Sequence, residues 1–208
     1  MSFENDLHNL KRLFVDSEQE LKKFNEIIPY EHNPVKIYSP KLVNLLLQIG
    51  PQIESLTDLI ATKKALGFER GGVPARIERI NHDSVLSRFE IIFKINGALI
   101  TPFPLKQEWW TTYNETKHNL AQSQFDITSQ SVLDALAALA ALHRLADVIS
   151  KTDEDNLEYI LEKQYWRKAF WHQSNDAETS RRIRATTSET WNSILFTISN
   201  YFVYSPHN

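Results

Sequence analysis

The sequence predicts a mainly α fold, a helical bundle with a small inserted β-hairpin and a C-terminal helical extension. Three observations carry that expectation. Only 5 glycines occur in 208 residues, too few for the many tight turns of a large β-sandwich or barrel. Apolar residues recur at three- and four-residue spacing along most of the chain, the period of an amphipathic helix. Asn96-Gly97 lies between two β-branched runs in "RFEIIFKINGALITPF", the signature of a hairpin turn. The chain reads as one domain over 1–208, with a core at 38–150 and a helical extension at 151–208.

The elements follow in order. From Ser2 to Ile28, Phe3, Leu7, Leu10, Phe14, Leu21 and Phe24 form one apolar stripe, and Pro29 and Pro34 end that helix. In "YSPKL", Ser39 is a cap and Pro40 occupies the first helical position, where a missing N–H costs nothing. That helix runs on through "LVNLLLQIGPQIESLTDLI", with a kink expected at Gly50-Pro51. Gly67 and Gly71-Gly72 mark a loop, and a shorter helix is expected from Pro74 to about Ser87. After the hairpin, Glu108 to Ala121 reads as a helix in which Trp109, Tyr113 and Leu120 share one side and Trp110, Asn114 and His118 a neighbouring stripe. Ser131 to Ser150 is apolar almost all round and rich in alanine, so it belongs at the centre of the bundle. Thr152 caps a further helix, with Asp153, Glu154 and Asp155 in its first turn, running to about Gln173. The tail, "TSETWNSILFTISNYFVYS", fits a helix by the spacing of Trp191, Leu195, Ile198 and Phe202, and its β-branched content leaves a strand as the alternative.

Composition excludes several classes. Hydrophobic residues make up 42% and charged residues 24%, ordinary for a soluble globular protein. The net charge of −3 supplies no global field toward nucleic acid, so such binding must come from a local patch. The absence of cysteine removes disulfides, thiol nucleophiles and cysteine metal sites. "MSFENDLHNLKRLF" lacks the basic start and apolar core of a signal peptide. The longest apolar run is broken by His143, Arg144 and Asp147, as in a buried helix rather than a membrane span. A cytoplasmic protein without membrane contact is expected.

"IYSPKLVNLLLQIGPQIESL", "WWTTYNETKHNL" and "VLDALAALAAL", in that order, resemble bacterial HEPN-like proteins (higher eukaryote and prokaryote nucleotide-binding-like), across roughly Tyr38 to Ile149. The resemblance implies a small helical bundle and a place in prokaryotic defence or toxin–antitoxin systems. In catalytic members an arginine followed by a polar residue precedes a histidine, with four to six residues between, and the pair cleaves RNA without metal or other cofactor. The base takes the ribose 2′-hydroxyl proton and the cation neutralises the phosphate. His118 matches the histidine and Asn114 the polar residue. Tyr113 stands in the arginine's place, with Thr112 and Thr111 at the other allowed spacings, so Lys117 is the nearest cation. Lys117 is not equivalent to arginine in bidentate phosphate recognition.

Two other stretches carry the bare spacing, Arg76 with His82 and Arg167 with His172. The second sits in "YWRKAFWHQ", where Arg167, Lys168 and His172 alternate with aromatics suited to stacking bases. Acidic 153–162 gives way to basic 163–184, a pattern that fits a phosphate backbone or an acidic partner. Against these stand plainer readings. Trp109, Trp110 and Tyr113 read as core anchors. His143, four residues before Asp147, reads as a satisfied core histidine rather than a triad member. Glu115 with His118 is half of a di-iron motif whose other half is missing, so no metal is expected. The sequence therefore points to a metal-independent endoribonuclease, or RNA-associated protein, with His118, Asn114 and Lys117 at its site. The alternative is a non-catalytic interaction protein, a helical homodimer or partner subunit built on the tryptophan-bearing segment.

Overall fold

The computed structural model describes residues 2–29, 39–64, 72–83, 86, 89–95, 97–104, 107–123, 126–150, 185–186 and 193–200. Helix α1 spans Phe3–Ile27 and is capped by Ser2, whose hydroxyl accepts the Asn5 N–H at 3.4 Å. Helix α2, Pro40–Lys63, starts as expected: Ser39 Oγ accepts the Lys41 N–H at 3.3 Å, with Pro40 at the first position. Helix α3 covers Gly72–Asp83, α4 Glu108–His118, α5 Leu120–Ser123 and α6 Ser129–Ser150. The mainly helical architecture is thus as expected. As expected, α2 runs on through Gly50-Pro51, and Pro51 faces solvent.

Helix α6 occupies the centre. It packs most extensively on α2, then on α1 and α4. Nearly every residue from Val132 to Ile149 is buried, and the small side chains of Ala135, Ala137, Ala138, Ala140 and Ala141 permit that approach on several sides. The opposing face of α2 supplies Leu42, Leu46, Ile49, Ile53, Leu56 and Ile60.

The hairpin is present. Strand β1, Phe89–Phe93, pairs antiparallel with β2, Leu99–Ile100, and Gly97 at φ +73 turns the chain. Only a residue tolerant of the left-handed region fits there. Phe89, Ile91 and Phe93 point to the core and alternate with half-buried Glu90 and Ile92. The hairpin is half of a four-stranded antiparallel sheet in the order β2-β1-β4-β3, where β3 is Ala185–Thr186 and β4 Phe196–Asn200. The helical reading of the tail is corrected over these residues. The free edge of β1 needs partners for its backbone groups, and the β-branched segment Thr197-Ile198 provides them in register Phe89↔Asn200 to Phe93↔Phe196. The helix expected from 153 to 173 lies outside the described residues.

The core also holds a bare imidazole. His143 on α6 is fully buried against Phe14 of α1, ring centroids 5.1 Å apart. Both of its ring nitrogens lack a hydrogen-bond partner among the described residues, so the histidine is in the core as expected but is not satisfied there. Asp147 is instead held by Lys11. Burial, with the nearby Lys11 charge, lowers the pKa of His143 from 6.5 to about 3. The imidazole is therefore neutral in the folded state and protonates first in the unfolded chain. Its contribution to stability is full above pH 6.5 and is lost as pH falls toward 3, by roughly 1.4 kcal/mol per unit. Asp134 works in the opposite sense. Burial pushes its carboxyl up to about 6, so its contribution is present at low pH and lost as pH rises through 6.

Replacing the imidazole isolates the first effect. Between pH 7 and 4.5, His143→Met should lose about 2–3 kcal/mol less stability than the native chain. Urea unfolding at the two pH values measures this, and equal losses would refute the assignment.

Candidate functional site

The site expected from sequence lies on α4, and its orientation is set by two buried aromatics. Trp109 is buried, and its Nε1 donates to the Pro102 carbonyl at 3.0 Å, tying α4 to the chain leaving β2. Tyr113, one turn on, is 1% exposed and its ring rests on Gly50 of α2. A Cβ added at Gly50 would stand 2.0 Å from Tyr113 Cε2. Gly50 is therefore a seat for an aromatic ring, and the two helices approach at that point. Trp110 is half-buried, edge-on to Trp109 and 5.1 Å from the Tyr113 ring. The core-anchor reading of Trp109 and Tyr113 fits these positions.

With 109, 113 and 116 inward, the helical period turns 114, 115 and 118 outward. Asn114 and His118 are exposed and lie one turn apart on the same face. Their side chains make no hydrogen bond to one another or to other described residues. His118 ends α4, and Asn119 follows as its cap, donating its N–H to the Glu115 carbonyl at 2.8 Å.

Lys117 is engaged. Its Nζ meets Glu54 Oε1 of α2 at 2.9 Å, and the same oxygen accepts the Tyr113 hydroxyl at 3.1 Å. The ammonium also lies 5.6 Å from the centroid of the Tyr113 ring. Hydrogen bonding to Glu54 raises the pKa of Lys117, while burial, followed by the Glu54 charge, raises that of Tyr113. The ion pair is partly solvated, with side chains 43% and 33% exposed, so its strength is modest. Glu54 is the residue that sequence reasoning missed. It lies 63 positions from Lys117, and no local pattern links the two.

Of the remaining expected residues, only Arg76 has a described side chain. Arg76 on α3 pairs with Asp58 of α2 at 2.8 Å; the side chain of His82, its spacing partner, lies outside the described residues, as do Arg167, Lys168 and His172. Among the described residues, no group of three or more His, Asp or Glu side chains is placed to hold a metal, and no helix is long and apolar enough to cross a membrane.

No family model, no curated protein and no solved structure matches the chain.

The Gly50 seat is directly testable. Gly50→Ala should cost about 2–3 kcal/mol by overpacking, although alanine is the better helix former by about 1 kcal/mol. In a Tyr113→Ala background the same change should cost nothing or stabilise. A double-mutant cycle in urea measures this, and additive effects would show that ring and glycine do not meet.

Proposed function

We propose that the protein acts on or with RNA as a HEPN-like protein, through the outward stripe of α4. The observation that supports this reading is the exposure of His118 beside Asn114 on a rigidly seated helix, with the Lys117 ammonium at the edge of the same surface. An imidazole open to solvent can approach a ribose 2′-hydroxyl. On taking that proton it lets the 2′-oxygen attack the adjacent phosphorus while the 5′-oxygen leaves. Asn114 orients the substrate through its amide. Lys117 neutralises the phosphate, exchanging Glu54 for it. Arg167, Lys168 and His172 extend the contact along the RNA backbone in this reading.

A second reading, a non-catalytic helical interaction or dimerisation protein, draws on two observations. The position that the resemblance assigns to arginine is occupied by Tyr113, which is committed to the α2–α4 seam. The cation next to His118 is already paired.

Cleavage of mixed RNA in EDTA separates the readings. The native protein should cut, and His118→Ala should lower the rate by about 10²-fold or more, while His172→Ala leaves the cutting in place. Intact RNA together with a tight dimer in light scattering would overturn the first reading in favour of the second. Cutting that survives His118→Ala would remove the histidine from its role.

A further inference from the structure

Glu18 lies midway along α1 and is 0% exposed. Its carboxylate is devoted to one short stretch of chain 175 residues away. Oε1 accepts the Ser193 hydroxyl and the Leu195 N–H, the latter at 3.1 Å, and Oε2 accepts the Ile194 N–H at 3.2 Å. Ser193 Oγ accepts in turn from the Phe196 N–H at 2.8 Å. From the other side, Lys94 Nζ donates to the Ser193 carbonyl at 2.6 Å, and the Lys94 N–H to the Leu195 carbonyl at 2.8 Å. The lead-in to β4 is thereby gripped from α1 and from the end of β1 at once.

Two features separate this from an ordinary tertiary contact. Burying a carboxylate is costly even when its lone pairs are filled, and here burial raises the pKa of Glu18 against the opposing effect of its hydrogen bonds. An apolar side chain would fill the same space at lower cost. What the carboxylate adds is selection, because it accepts only a segment that presents a hydroxyl and two N–H groups at that spacing. The segment so held packs chiefly on β1 rather than on the helices. The largest helix interface is α2 on α6, followed by α2 on α1, whereas β4 is seated chiefly on β1. Leu195, just before β4, and Phe196, which begins it, are buried, with Phe196 5.9 Å from the ring of Phe93.

We propose that residues 193–200 form a strap, latched to α1 by Glu18, that detaches from β1 as one unit while the helical bundle stays folded. Release of the latch leaves the inner edge of β1 open, with its backbone donors and acceptors unpaired. The proposal does not depend on the RNA reading.

Hydrogen exchange on the full chain tests it. In Glu18→Ala, the amides of 194–200 and their ladder partners on β1 should exchange about tenfold faster or more, while those of α2 and α6 change by less than about threefold. Ser193→Ala, which removes one donor and leaves the carboxylate, should act in the same direction and less strongly. It decides the matter should Glu18→Ala fail to fold. Acceleration of β4 and the helices together, or unchanged protection of β4, would overturn the proposal.

Discussion

The contact between the Tyr113 ring and Gly50 is the constraint from which the exposed surface of this protein follows. A helix without a Cβ at one position offers its backbone to a partner, and the ring lies where that carbon would be. The ring's position fixes the rotation of α4 about its axis. The hydroxyl then reaches Glu54 one turn along α2, and Lys117, one turn along α4, reaches the same oxygen. Trp109, one turn back, adds a second anchor at Pro102. Two buried aromatics one turn apart, with the Lys117–Glu54 pair beyond them, fix what α4 shows to solvent.

The seam between α1 and its neighbours adds polar groups to the buried apolar stripe of Leu7, Phe14, Leu21 and Phe24. Gln52 Nε2 of α2 donates to Ser17 Oγ at 3.0 Å, Lys11 holds Asp147, and Glu18 takes three donors. His143 stands among them without a partner for either nitrogen among the described residues. The contrast between Glu18 and His143 is chemical. A carboxylate cannot be left bare in an apolar interior, because its charge must be compensated. An imidazole can shed its proton and be buried neutral, at the cost of two unmade hydrogen bonds. One group therefore selects a partner segment, and the other sets the acid limit of the fold.

Much of this was legible in the sequence, where periodicity is a property of one helix alone. The apolar stripes of α1 and α2, the Ser39-Pro40 start and the alanine-rich centre of α6 all report local geometry. Gly97 reports a turn for the same reason. The tail was ambiguous because Trp191, Leu195, Ile198 and Phe202 satisfy a helical period, while the β-branched residues among them favour a strand. Local preference cannot break that tie; the open edge of β1 does. Gly50 was visible but suggested a kink, since nothing nearby announces that Tyr113 will rest on it. Glu18 looks like a surface residue until its place is considered. It falls four residues after Phe14 and three before Leu21, on the apolar stripe itself, and an acid there needs a partner. Glu54 carried no comparable signal.

The absence of an arginine before His118 takes on physical meaning here. Position 113 is inside the seam, so a guanidinium there would sit against Gly50 rather than beside an exposed imidazole. A cation that α4 itself offers beside His118 must come from its outward or lateral face, and Lys117 is the one that this helix provides. Its bond to Glu54 does not forbid the role. A partly solvated ion pair is worth about 0–1 kcal/mol, and a phosphate brought close by other contacts offers more negative charge than one carboxylate. The exchange leaves Glu54 with the Tyr113 hydroxyl as a donor, so its charge is not abandoned. What distinguishes an RNA-acting surface from a merely solvated helix end is therefore whether an anion can draw Lys117 away from Glu54 while His118 stays free.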